Sequence, residues 1–246
     1  MRFIDSHIHL SQYPSTDQLL SFARATGTLF LAASTCKNDS MITLKFAAEN
    51  AGCVVPFIGV HPSETVDEGG LDWLDAASAS AKGIGEVGLD PKYSEVSAGG
   101  GQMARFQAQL SVAERRRIPV QIHSRGAESE VIAVLQSFNL AGVLLHWFEG
   151  EEHVREAADR GYFVSFGPAI LYSKKLRRIA TSYPDDLVVT ESDGPVAFSA
   201  LGGVGGAWTV PSVVFELAVL KRQTFAGMAE RVLENALSYV RVGEKG

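Results

Sequence analysis

Cysteine is scarce in this chain. Cys36 and Cys53 are the only two among 246 residues, too few for a disulfide framework and without the mutual spacing of a metal-binding pair. A reducing, cytoplasmic location fits that usage. Long apolar runs are missing too: none approaches the roughly 18 residues of a membrane span, and Met1 to His7 has no apolar stretch of the secretion-signal kind. The sequence is therefore expected to describe a soluble, unprocessed protein. Cationic excess is also absent, since 22 Lys and Arg stand against 28 Asp and Glu for a net charge of −6. That balance excludes a general attraction for nucleic acid or an anionic membrane, so an anionic substrate needs a local basic patch or bound metal. Linkers and low-complexity tracts are lacking, and the segment Ser6 to Pro14 has no Gly-rich dinucleotide fingerprint.

What is present is an ordinary globular composition, 46% hydrophobic and 20% charged, with a repeating pattern of short apolar runs and amphipathic segments. The runs are Phe3 to Asp5, Thr28 to Ala33, Val54 to Val60, Gly83 to Val87, Pro119 to His123, Gly142 to His146, Tyr162 to Phe166 and Leu187 to Thr190. Between and after them the periodicity predicts helices over Thr16 to Thr26, Asp39 to Ala51, Leu71 to Lys82, Gln102 to Arg117, Glu128 to Phe138, Glu151 to Arg160, Ser173 to Ser182 and Val210 to Arg222. Thr224 to Val240 adds a ninth. Eight strand-helix units in succession argue for parallel strands joined by right-handed crossovers. The expected fold is thus α/β, a single (β/α)8 TIM-like barrel over residues 1–246 with an extra C-terminal helix; an open, doubly wound sheet is the alternative.

In a barrel the strand C-termini collect the chemistry. Five of the six histidines, His7, His9, His61, His123 and His146, lie at or just beyond the ends of the expected strands. His153 sits within a helical segment and reads as solvated. His7 and His9, two apart on extended chain, project to one side and can grip one cation. Glu86 and Asp193 occupy equivalent strand ends, and a group of imidazoles and buried carboxylates of this kind is best compensated by divalent ions.

The motifs Asp5-Ser6-His7-Ile8-His9-Leu10, Gly59-Val60-His61-Pro62, Gly85-Glu86-Val87-Gly88-Leu89-Asp90, Gln102 to Leu110, Pro119 to Arg125, His146-Trp147-Phe148-Glu149-Gly150 and Glu191-Ser192-Asp193-Gly194-Pro195 stand in this order. Over nearly its whole length the chain resembles the TatD-type metal-dependent hydrolases of the amidohydrolase superfamily, whose members are described as deoxyribonucleases or phosphoester hydrolases. The resemblance implies two divalent metal ions, zinc, manganese or magnesium. It implies that His7, His9 and Asp193 hold one ion, that His123 and His146 hold the other, and that Glu86 bridges both.

The chemistry of the residues agrees, because imidazole-rich sites favour transition metals and a bridging carboxylate suits two ions about 3.5 to 4 Å apart. The expected reaction is phosphodiester hydrolysis through a metal-bridged hydroxide, with Glu86 bridging the ions, Asp193 accepting or orienting the proton and His61 contacting the substrate or leaving group. Glu191 is expected to orient a ligand histidine. Arg125 is expected to bind a phosphate oxygen, with pairing to Glu86 or Asp90 as the alternative. Lys174 and Lys175, with Arg178, are the candidate rim contacts to DNA, whereas Arg115 to Arg117 reads as a solvated helix end at the far side of the barrel. Trp147 and Phe148 could stack a base or simply wall the barrel. Two features depart from the family pattern: Val196 to Pro211 carries no charge, and Asp90 is followed by Pro91-Lys92-Tyr93. DNA is the leading substrate. A small amide, lactone or phosphoester is the second reading, and a metal-stabilised interaction barrel the third.

Overall fold

The computed structural model describes residues 2–65, 70–97, 99–198, 200 and 202–241. Strand β1 (Ile4–Ile8) leads to helix α1 (Asp17–Thr26), and the alternation then runs through β2 (Leu29–Ala32), α2 (Lys37–Glu49), β3 (Val54–Ile58), α3 (Asp72–Ala77), β4 (Gly83–Gly88) and α4 (Gly101–Arg116). It continues with β5 (Val120–His123), α5 (Glu128–Leu135), β6 (Val143–Leu145), α6 (Val154–Asp159), β7 (Phe163–Phe166), α7 (Lys174–Ser182) and β8 (Val188–Thr190). After β8 come a small antiparallel hairpin, β9 (Ala197–Phe198) and β10 (Gly203–Val204), then α8 (Val210–Leu220) and α9 (Phe225–Arg241). Strands β1 to β8 pair in sequence order and in parallel. This is the expected barrel, nearly closed. Between β8 and β1 the seam is joined by Thr190 Oγ1 donating to the Ile4 carbonyl (2.8 Å), and just above it by the Asp193 N–H donating to the His7 carbonyl (3.0 Å). Among the described residues no helix is long and apolar enough to cross a membrane.

All eight expected strands form, with shifted ends. The first runs on to Ile8, so His7 stands within β1. The third helix is shorter than its apolar pattern suggests. Ser78 Oγ bonds back to the Asp75 carbonyl (2.7 Å), and the chain tightens to a 3-10 turn over Ser78–Ser80, the local competition expected of serine. Glu151–His153 is likewise a 3-10 turn ahead of α6. The hairpin β9–β10 has no counterpart among the expected elements, and forms within the uncharged segment after β8.

One end of the barrel is sealed and the other is open. Tyr239 of α9 is fully buried, its ring stacked on Phe57 of β3 (centroids 5.9 Å) and tilted against Phe163 of β7 (5.5 Å). Its hydroxyl donates to the Val120 carbonyl at the start of β5 (2.8 Å), satisfying the polar tip of a buried aromatic. Asn235, one turn earlier, donates to the Val188 carbonyl at the start of β8 (2.8 Å). The C-terminal helix thus closes the strand N-termini, and the strand C-termini are left to form the mouth. At that mouth Gly88, with φ +154°, lets the β4 backbone lie against β5, since a Cβ there would sit 1.9 Å from the His123 carbonyl oxygen.

Candidate metal centre

A strand of strict register would turn alternate side chains in and out, but both strands that bring the central groups together are irregular. The β1–β2 register shifts between Asp5 and Ile8, and the β4–β5 register shifts between Ile84 and Val87. Such bulges re-aim side chains; here they carry His7 and Glu86. His7 and His9 converge with Nε2 atoms 3.2 Å apart. The Glu86 Oε2 atom lies 3.4 Å from His7 Nε2 and 3.3 Å from His9 Nε2. Asp193 Oδ1 completes the group at 3.7 and 3.6 Å from the same nitrogens. Ligand atoms bonded at 2.0 to 2.2 Å around a tetrahedral ion are separated by about 3.3 to 3.6 Å. His7, His9 and Glu86 have the spacing of ligands to one divalent cation, with Asp193 beside them.

The other carboxylate oxygen, Glu86 Oε1, faces a second set of imidazoles: His123 Nδ1 at 2.7 Å, His61 Nε2 at 3.6 Å and His146 Nε2 at 3.7 Å. His61, Glu86 and His123 form one group with metal-ligand spacing, and His7, His146 and Asp193 another. His146 also stacks on His7 (centroids 3.8 Å) and reaches Asp193 Oδ1 at 4.0 Å. All six expected ligands are thus brought together, and His61 joins them.

What holds each ring decides which nitrogen it offers. His7 Nδ1 meets Gln121 Oε1 (2.9 Å), whose amide nitrogen is fixed by the Ser6 carbonyl (2.9 Å). His146 Nδ1 meets Glu191 Oε2 (2.8 Å), as expected of that residue. In its neutral form each ring then presents an unprotonated Nε2 to the cage. His123 is turned the other way. Its Nε2 bonds to Asp90 Oδ2 (2.9 Å), leaving Nδ1 for Glu86. His61 differs in kind, because the Ser63 N–H donates to its Nδ1 (3.1 Å), which places the proton of the neutral ring on Nε2, facing the centre. The sequence alone does not point to Gln121 or Asp90 for these orienting roles. The signal for Gln121 is period two: it stands two residues before His123 on β5, on the same face.

Charge follows from the same contacts. Burial opposes ionisation of Glu86, but His61 and His7 outweigh it and hold the carboxyl well below the usual range. Burial likewise opposes ionisation of Asp193, and the surrounding histidines, His146 first, keep its carboxyl low. Burial also disfavours charge on His9 and His146. For His9 the carboxylates of Asp193 and Glu86 prevail, and for His146 those of Glu191 and Asp193, so both are pushed up to about 10. His61 is carried down to about 4 by burial, against the pull of Glu86. A cage that gathers protons around two ionised carboxylates is a cage for cations.

The mouth above is a cavity of about 490 Å³ lined by, among others, His61, Glu86, Tyr93, Arg125, Trp147 and Asp193. Arg125 lines the cavity and is 56% exposed, and its Nη2 lies 3.1 Å from Asp90 Oδ2, the pairing expected as the alternative to a phosphate contact. Lys174 and Lys175 do not line the cavity; Lys175 Nζ lies 3.9 Å from Glu149 Oε2. Arg178 is held by Glu151 through both carboxylate oxygens (2.7 and 2.8 Å). Stacking by Phe148 is ruled out, because it is fully buried in the core. A positive φ of 41° at Trp147 turns the chain there, giving Trp147 to the cavity and Phe148 to the interior. Of the uncharged segment only Val196 lines the cavity among the described residues.

Known proteins are similar to this chain over nearly its whole length. The family model described as TatD related DNase matches residues 4–241. A relative named uncharacterized metal-dependent hydrolase YabD, of Bacillus subtilis, is 28% identical, with 97% of this chain and 98% of the relative covered. The deoxyribonuclease TATDN3 of Homo sapiens is 28% identical over 95% of this chain and 93% of its own length. The 3'-5' ssDNA/RNA exonuclease TatD of Musicola paradisiaca is 27% identical over 96% of each. The crystal structure of YJJV, a TatD homolog from Escherichia coli K12, superposes with a TM-score of 0.84 at 25% identity, covering 96% of this chain and 97% of that one.

Proposed function

The chain belongs to the TatD related DNase family and is a metal-dependent hydrolase, and from that premise we propose that it hydrolyses phosphodiester bonds at the end of a DNA or RNA strand with two divalent ions. The observation that carries the count of two is the division of Glu86, whose Oε2 meets His7 and His9 while Oε1 meets His61, His123 and His146. One carboxylate serving two nitrogen clusters is the donor set of a paired site. His7, His9, Glu86 and Asp193 would hold one ion, and Glu86, His123 and His146 the other. Imidazole-rich ligation favours zinc or manganese over magnesium. Bound there, the ions would supply an activated water and neutralise charge growing on the phosphoryl oxygens.

The chain's own residues do the rest. Asp193 is ionised at neutral pH and is the proton acceptor at its carboxylate, in reach of the cage. His61 is neutral and directs its Nε2 proton at the centre, which suits it to donate to a phosphoryl or leaving-group oxygen rather than to bind an ion. Arg125 extends from Asp90 into the cavity, and its fork can take a phosphate oxygen. The names of the human and Musicola relatives support nucleic acid as the substrate. A screen of metal-stripped protein, reloaded with zinc, manganese or magnesium and offered oligonucleotides and small esters, tests the reading. Cleavage of oligonucleotides is expected. Cleavage of esters alone would replace this function with that of a small-molecule hydrolase.

A further inference from the structure

The mouth has the opposite charge from what a long strand needs. Beyond the cage carboxylates, the cavity is lined by Glu64, Glu128 and Glu149, all partly exposed, and Arg125 is its one lysine or arginine among the described residues. Four of the cations nearby are occupied, while Lys92 sits over the Tyr93 ring, its Nζ 5.4 Å from the centroid. Lys175 faces Glu149, Arg178 is held by Glu151, Arg177 by Glu216 (3.1 Å), and Arg105 donates to the Pro62 carbonyl (3.2 Å). The segment 196–211, which follows β8, adds no charge. At physiological salt the screening length is about 8 Å, comparable to the mouth itself, so the rim carboxylates act on whatever enters.

We infer, resting on the phosphodiesterase reading, that this site takes short substrates: a dinucleoside monophosphate, or the last linkage of a very short oligonucleotide, in preference to a long strand. One phosphodiester is favoured, since the ions and Arg125 meet its single negative charge. Each further phosphate would leave that positive centre and meet Glu64, Glu128 or Glu149, and like charges brought together across an interface reject a partner. The aromatic surface suits two bases. Trp147 is backed by Phe198 (centroids 5.4 Å, 15° between planes) beside His146, and Tyr93 stands edge-on to His61 (5.7 Å); both line the cavity. Each offers a face on which a base can stack without regard to sequence.

The test compares thymidine dinucleoside monophosphate with an oligo-thymidine of about twenty nucleotides, as kcat/KM for the first cleavage across a salt series with the metal-loaded protein. The dinucleoside monophosphate is expected to be used at least about threefold better than the long strand, whose salt dependence should be about one phosphate, a slope near −0.7. Replacing the rim carboxylates (Glu64→Gln/Glu128→Gln/Glu149→Gln) also frees Lys175. It is expected to tighten binding of the long strand about tenfold by fluorescence anisotropy, and to steepen its salt dependence. Use of the long strand as well as or better than the dinucleotide, with a slope of several phosphates, would overturn this inference and leave the phosphodiesterase reading standing. Failure to cleave either nucleotide substrate with any of the three metals, while a small ester is cleaved, would overturn that reading and the inference with it.

Discussion

At the scale of single residues, the centre is governed by competition between protons and metal. With His9 and His146 both pushed up to about 10, the metal-free cage is protonated at neutral pH, and an ion must displace those protons. The sign follows: raised histidine values mean affinity that climbs as pH rises towards 10, with about two protons released per cage filled at pH 7. Calorimetric titration of zinc in buffers of different ionisation enthalpy should show that release, and a pH-independent affinity would contradict the protonated cage. Asp193→Asn keeps an oxygen in place but removes the base, so turnover should fall by roughly 10² to 10⁴-fold while metal largely stays, read by steady-state kinetics beside elemental analysis. His61→Ala separates a donor from a ligand. Its Nε2 carries the proton, so metal content should be unchanged while kcat drops by about 10²; loss of an ion would make His61 a ligand instead. The six metal-site candidates were legible because histidines and acids gathered at the ends of apolar strands are costly to bury unless a cation compensates them. The tautomers were not, since they depend on Gln121, Asp90 and the Ser63 N–H, partners set by three-dimensional packing.

At the scale of elements, apolar runs and helix ends located all eight barrel strands and, among the described residues, nine α-helices, because burial on both faces and glycine stops leave local marks. What stayed hidden was irregularity. The shifts in β1 and β4 that aim His7 and Glu86 come from pairing with neighbouring strands, which no local pattern records. The hairpin β9–β10 was equally illegible, since its strands are only two residues each. The C-terminal helix was visible as a ninth amphipathic segment, but not its place under the barrel. Tyr239→Phe tests that place: it removes the buried hydroxyl and strands the Val120 carbonyl, so urea unfolding should show a loss of about 1 to 3 kcal/mol with metal content unaltered. No loss would mean that the hydroxyl does not tie α9 to β5.

At the scale of the whole molecule, a net charge of −6 and an acidic mouth surround a site that, on the proposed function, takes an anion. Bound ions at the centre would supply the missing positive charge. Metal is then also a stabiliser, since it binds the folded cage and not the unfolded chain; at a hundredfold over its dissociation constant an ion adds about 2.7 kcal/mol, so chelation should lower the melting temperature by several degrees. The decisive measurement is metal stoichiometry by elemental analysis, after equilibrium dialysis against zinc or manganese, of the wild-type protein and Glu86→Gln, each checked for native folding. About two ions per chain are expected in the wild type, and at most one in Glu86→Gln, because both clusters converge on that carboxylate. A wild-type protein that binds no ion, or whose ion count is untouched by Glu86→Gln, would contradict a centre built around Glu86.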